Sequence, residues 1–198
     1  MNLYDVDAQY CRYLRQFDEK VPYNEGAKKR PFIGIVITIH AVDFFAPLTS
    51  PKQKHDKMRN QIDFIKMDHG RLGAINLNNM IPVAEDLFEV VNVEGSIRDT
   101  IAVRDYKQLL RRQSAWCNLH QSMILHAAVN LYMQVIKNEA PIAIQSRCCD
   151  FYRDMLLLKE YCQLTHHRTN SIVQDIDAHL QWLTLPSYRA DHYQIYIR

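Results

Sequence analysis

The densest concentration of phosphate chemistry in this sequence lies in ten residues, Ala46 to His55, which read APLTSPKQKH. Thr49 and Ser50 offer hydroxyl donors to phosphate oxygens, and Lys52 and Lys54 bring ammonium charge close behind them. Such a set can hold a phosphodiester and stabilise the negative charge that builds up when its phosphorus is attacked. Pro51 biases Ser50 away from helical geometry, so the hydroxyls belong to the end of an extended segment. His55 carries an imidazole with an ordinary pKa of about 6.5, suited to proton transfer, though beside lysines it serves equally well as a bystander. No Ser–base–acid set is visible around Ser50, which argues against a covalent serine nucleophile. As a bare pattern Thr-Ser-Pro-Lys is common at strand ends, and its meaning depends on its surroundings.

Other chemistry-bearing residues are less organised. Cys162 and His166 could share a helix face as zinc ligands, but nothing fixes His179 or His192 as the rest of a set, so no metal is expected. The five cysteines (Cys11, Cys117, Cys148, Cys149, Cys162) are odd in number and contain no CxxC pair. That excludes a disulfide framework and favours buried thiols. Tyr188, Tyr193 and Tyr196 could stack on bases, as could Tyr23 and Phe45 nearer the basic segment; each fits core packing as well.

The net charge of +2 conceals an uneven distribution. Between Lys28 and Arg59 stand seven basic residues (Lys28, Lys29, Arg30, Lys52, Lys54, Lys57, Arg59) against Asp43 and Asp56, whereas five acids crowd Glu85 to Asp99. The basic third suits a polyanion such as RNA, and it equally suits a solvated rim. No apolar run approaches the roughly 20 residues that span a bilayer, and MNLYDVDAQY is not a signal peptide, so the cytoplasm is the expected location.

The elements that must position these residues change character near residue 97. Before it, β-branched and aromatic runs predict strands at Asn2–Val6, Pro31–His40, Asp43–Leu48, Gln61–Met67, Leu72–Leu77 and Leu87–Val93. The second and third of these form a hairpin through Ala41–Val42, and Asp7 caps a short helix carrying Tyr10, Tyr13, Leu14 and Phe17. Val21 to Arg30 reads as a polar loop. After residue 97 four helical stripes follow: Ile101, Tyr106, Leu109, Leu110 and Gln113; Trp116, Leu119, Met123, Ala127, Leu131 and Val135; Phe151, Met155, Leu158 and Cys162; Ile172, Ile176, Leu180 and Leu183. The fold class is α+β: a strongly bent antiparallel sheet or small barrel with a helical C-terminal half.

With these elements placed, the series YCRYLRQFDEKVP, RPFIGIVITI, FFAPLTSPKQKH and GAINLNNMIPV resembles, in order and spacing, the ToxN/AbiQ toxins of type III toxin–antitoxin systems. The resemblance covers residues 1–165; residues 166–198 read as a C-terminal helical extension packed on the same domain. It implies a MazF/Kid-like sheet and a metal-independent endoribonuclease that cuts A-rich RNA and uses no cofactor. The partners it implies are a small repetitive RNA antitoxin, whose pseudoknots fill the groove in a closed toxin–RNA ring, and cellular and phage mRNA, with abortive infection as the outcome. On that basis Thr49, Ser50 and Lys52 are the catalytic residues, joined by Arg30 where the family pattern has lysine. A guanidinium forks where an ammonium is a point donor, so that replacement keeps charge and alters geometry. Lys28, Lys29, Lys54, His55, Tyr23 and Lys57 would bind RNA. The loop tyrosine of some members has no match at Gly26 and Ala27, and Tyr23 lies three residues early. In the expected reaction the 2′-hydroxyl attacks its own phosphate, leaving 2′,3′-cyclic phosphate and 5′-hydroxyl ends. Lys52 and Arg30 stabilise the phosphorane while Thr49 and Ser50 orient it. The alternative is a catalytically inactive RNA-binding protein of the same fold.

Overall fold

In the computed structural model, residues 1–26, 31–39, 42–165 and the positions 174, 176, 177 and 181 are described. The β-rich first half supplies β1 (Leu3–Val6), β2 (Phe32–Ile39), β3 (Val42–Thr49), β4 (Phe64–Lys66), β5 (Ala74–Asn76), β6 (Ile81–Val83) and β7 (Phe88–Val90). The helices are α1 (Ala8–Arg15), α2 (Lys54–Lys57), α3 (Ile101–Leu119), α4 (Gln121–Ile136), α5 (Ile142–Gln145) and α6 (Phe151–Thr165). The fold is α+β, as the change of pattern near residue 97 predicts. Among the described residues no helix is long and apolar enough to cross a membrane.

All described strand pairs are antiparallel, in the order β4-β5-β3-β2-β1-β7, with β6 also on β3. The sheet is bent and open, ending at β4 and β7, so the bent-sheet form of the expectation holds and the closed barrel does not. Two devices bend it. The β2–β3 register shifts between Ile33 and Ile37, and Gly34 lies in that interval. A Cβ there would fall 2.0 Å from the Tyr4 ring, so glycine lets β1's aromatic lie flat on β2. The second device is β3 itself, which gives Asp43–Phe45 to β6 and Leu48–Thr49 to β5. Pro47, which has no N–H to donate, falls between the two pairings, where a ladder bond would have no partner.

Both faces of β3 are covered. Phe44 meets Tyr132 of α4 and Phe151 of α6 edge-on, with centroids 5.3 and 6.1 Å apart. Its neighbour Phe45 packs on the opposite side against Tyr4 and Phe88 at 5.1 and 4.8 Å. The alternation along a strand puts successive side chains on opposite faces, which is why both phenylalanines are buried. Asp7 caps α1 as expected, accepting from the Tyr10 N–H at 2.7 Å.

Several elements differ from the sequence reading. The expected strands at 61–67, 72–77 and 87–93 shrink to three residues each: a tight turn closed by the Gln61–Phe64 bridge precedes β4, Leu77 and Leu87 belong to 3-10 turns, and the chain leaves the ladder after Val90. The strand β6 is absent from the sequence reading, and Pro82 stands at its centre. It persists because, among the described residues, β6 pairs with β3 alone, and the Pro82 carbonyl accepts the Tyr10 hydroxyl at 2.7 Å. The second helical stripe also moves. The chain breaks at His120, which stacks on Trp116, so Trp116 and Leu119 end α3. The buried stripe of α4 is Ile124, Ala128, Leu131 and Val135, while Leu119 is 82% exposed and Met123 43%. The α6 stripe is as predicted: Phe151, Met155, Leu158 and Cys162 are all fully buried. Of the fourth stripe, Ile176 is a buried helical residue; Ile172, Leu180 and Leu183 lie outside the described residues.

Candidate RNA-facing site

The site is built where β3 runs out. Thr49 pairs with Ala74 of β5, and its backbone is pressed from two sides. From below comes Gly73, with a φ of +90°, a conformation that glycine adopts without strain. A Cβ on Gly73 would lie 1.8 Å from the Thr49 carbonyl oxygen, so the approach of the two backbones requires glycine here. From the side comes Gln113 of α3, 1% exposed, whose Nε2 donates to the Leu72 carbonyl at 2.7 Å and the Thr49 carbonyl at 3.4 Å. A single amide thereby ties the Leu72 carbonyl to the end of β3. Thr49 is itself buried, and its hydroxyl donates to the Ser50 carbonyl at 3.1 Å, fixing the next peptide.

Beyond this brace the chain turns outward. Ser50, Pro51, Lys52, Gln53 and Lys54 are exposed, and so is Lys57 at the end of the one-turn helix α2. The His55 N–H donates to the Lys52 carbonyl at 2.8 Å, which closes that turn. The expected hydroxyls and lysines are therefore brought together on one short stretch, Thr49 to Lys57, with Thr49 below the surface and the lysines above it.

His55 behaves differently from its neighbours. Its side chain points inward and is 1% exposed, lying edge-on to Phe64 at 5.8 Å and against Gly70, where a Cβ would come within 3.1 Å of its own. Among the described residues no hydrogen-bond partner reaches its Nδ1. Burial chiefly, then the charges of Lys54 and Lys52 and more distantly Lys66, holds the imidazole below its ordinary pKa; Asp56 opposes them. A neutral, buried ring anchors α2 to the turn at Asp68–Gly70 and does not line an open groove with the lysines.

Tyr23 stands apart on the loop after α1. It is 45% exposed, with the Arg15 guanidinium 5.8 Å from its ring centroid and its hydroxyl donating to Glu25 at 3.3 Å. Lys28, Lys29 and Arg30 lie outside the described residues. The chain resumes at Pro31, whose carbonyl accepts from the Leu48 N–H at 2.9 Å. Two contributors were not named from the sequence as site residues: Gly73 and Gln113. Gln113 did carry a signal, because a glutamine on an otherwise apolar helical stripe must find polar partners when buried.

Known proteins share this fold and sequence pattern. A family model described as Toxin ToxN, type III toxin-antitoxin system, matches residues 2–163. The endoribonuclease ToxN of Bacillus thuringiensis subsp. kurstaki is 27% identical over 175 residues, covering 86% of this chain and 87% of that protein. A solved chain from a bacterial antiviral system regulated by a processed non-coding RNA superposes with a TM-score of 0.67 at 27% identity, covering 81% of this chain and 98% of the other. A second, from a type III system in which a non-coding RNA pseudoknot selectively inhibits the toxin, gives 0.66 at 27% identity, covering 84% and 98%. The match spans most of the chain and includes the braced end of β3, and on these grounds the chain belongs to the ToxN family of type III toxin–antitoxin toxins.

Proposed function

We propose that this chain is a metal-independent endoribonuclease toxin that cuts A-rich RNA, processes its own repetitive antitoxin transcript and is silenced when the resulting pseudoknots occupy the cutting groove. The observation that carries the reading is the braced end of β3. Gly73 and Gln113 immobilise the Thr49–Ser50 backbone, and exposed Lys52, Lys54 and Lys57 follow within eight residues. A braced backbone with exposed cations beside it suits a phosphodiester transition state, where positioning and charge stabilisation supply most of the acceleration.

In the reaction the RNA 2′-oxygen forms a bond to the adjacent phosphorus while the bond from phosphorus to the 5′-oxygen breaks. The 2′-hydroxyl gives up its proton and the departing 5′-oxygen gains one. Lys52, aided by Arg30, stabilises the added charge on the phosphorane, and Ser50 orients a non-bridging oxygen. Thr49, with its hydroxyl on the Ser50 carbonyl, sets the angle at which Ser50 is presented. Lys28, Lys29, Lys54, Lys57 and Tyr23 extend the RNA contact; His55 fixes α2 beneath them. A closed ring of toxin and RNA acting in the cytoplasm, released during phage infection to cut cellular and phage mRNA, is the biological setting this reading supports.

The test is incubation of the purified chain with A-rich RNA in excess EDTA, with analysis of product ends. Cyclic phosphate and 5′-hydroxyl ends are expected, and Ser50→Ala or Lys52→Ala should slow cleavage by about 100- to 1000-fold while RNA binding persists. Intact RNA with binding retained would mean that the chain only holds RNA.

A further inference from the structure

A second polar centre lies where the loop after α1 meets the start of α6. Asp154, on the first turns of α6, is fully buried, and neither of its carboxylate oxygens has a hydrogen-bond partner among the described residues. Beside it are Asp18, 6% exposed, and Cys149, 1% exposed. One carboxylate oxygen from each aspartate and the Cys149 Sγ all lie within 4.8 Å of one another. Asp18 is held in place by backbone donors: its Oδ1 accepts from the Lys20 N–H at 2.9 Å and its Oδ2 from the Asp150 N–H at 2.8 Å. Cys149 is fixed through its own N–H, which donates to the Asn78 carbonyl at 2.8 Å.

A buried carboxyl with both oxygens unpartnered is rare in folded proteins, because such groups lose water and gain nothing in return. Protonation answers only half of this: an O–H on Asp154 has the Asp18 carboxylate near it, but the other oxygen still has no donor among the described residues. A cation held between the three residues would supply the missing positive partner. We propose that Asp18, Cys149 and Asp154 form a structural binding site for a single divalent transition-metal ion of the zinc type.

The donor set selects the ion class. One sulfur with two carboxylates suits a borderline-soft ion, whereas calcium and magnesium require oxygen throughout. Metal–donor bonds of roughly 2.0–2.3 Å would draw the three atoms closer than they stand, a contraction open to side-chain torsions. Charge balances as well. Three anionic ligands face a divalent ion and the Lys20 ammonium, which lies 4.0 Å from the Asp18 carboxylate. The site shares no residue with Thr49 to Lys57, so the ion would take no part in RNA cleavage. It would tie the loop after α1, the turn at Leu77–Asn79 and the N-terminus of α6 into one unit.

The test uses the whole chain, stripped with chelator, dialysed and titrated with Zn2+ alone. One equivalent should bind and raise the melting temperature. Co2+ in its place should give a sulfur-to-cobalt charge-transfer band that Cys149→Ser abolishes and Cys148→Ser keeps. Asp154→Asn preserves the volume and should fold, as judged by circular dichroism, yet take up no ion. Wild type that binds no Zn2+, or uptake undiminished in Asp154→Asn and therefore carried by surface histidines, would overturn the proposal.

Discussion

At the Thr49–Ser50 peptide two demands meet: the backbone must be still, and the side chains after it must reach a polyanion. Gln113 answers the first demand from a distance of more than sixty positions in the sequence. Gln113→Ala should remove the donor to the Leu72 carbonyl and cost about 1–3 kcal/mol, read as a lowered urea midpoint. His55 adds a pH dependence of definite sign. Its folded pKa is depressed, so below the unfolded value of about 6.5 the unfolded chain binds the proton more readily than the native one. Stability should therefore fall as pH drops from about 6.5 towards the folded pKa, and His55→Phe should flatten that limb in urea titrations at successive pH values. The hydroxyls and lysines of this site are legible in the sequence by type alone. That His55 turns inward is not, because burial of a single residue in a one-turn helix depends on Phe64 and Gly70, which arrive from the following strand and turn.

Among the elements, period decides what can be read. The α6 stripe at spacings of four, three and four is long enough for its buried face to be assigned without a structure. Leu158→Ala, at a fully buried position, should cost about 2–5 kcal/mol, whereas Leu164→Ala, 65% exposed, should stay within about 0.5 kcal/mol; denaturant melts compare them directly. Three-residue strands offer no such period. β4, β5, β6 and β7 each hold one or two alternations, and their boundaries are set by neighbouring turns and by the strand each pairs with. Pro82 shows the limit most clearly: its type argues against a strand, and only the one-sided pairing of β6 makes one possible. The α3–α4 junction failed for a related reason. Trp116 and Leu119 continue the apolar rhythm of the next helix, and the break at His120 leaves no Gly or Pro in the sequence to mark it.

For the molecule as a whole, the α+β class followed from a single change of pattern, and the family from motifs strung along most of the chain. Neither depended on locating every strand. Charge acts at this scale too. If Lys54 and Lys57 each neutralise an RNA phosphate, affinity should fall linearly with salt on logarithmic axes, and alanine at either position should reduce the slope by about one. Filter binding at several salt concentrations measures this without requiring cleavage.

All five cysteines are buried, and burial pushes the Cys11, Cys117 and Cys148 thiols up to about 12. Thiols in that state are poor nucleophiles even where a reagent reaches them. Alkylation by a maleimide must therefore wait for the chain to open, and the mass added over time counts opening events. Because Cys11 sits in α1, Cys117 in α3 and Cys162 in α6, the order in which they become labelled would rank the helices by how readily each comes away from the sheet.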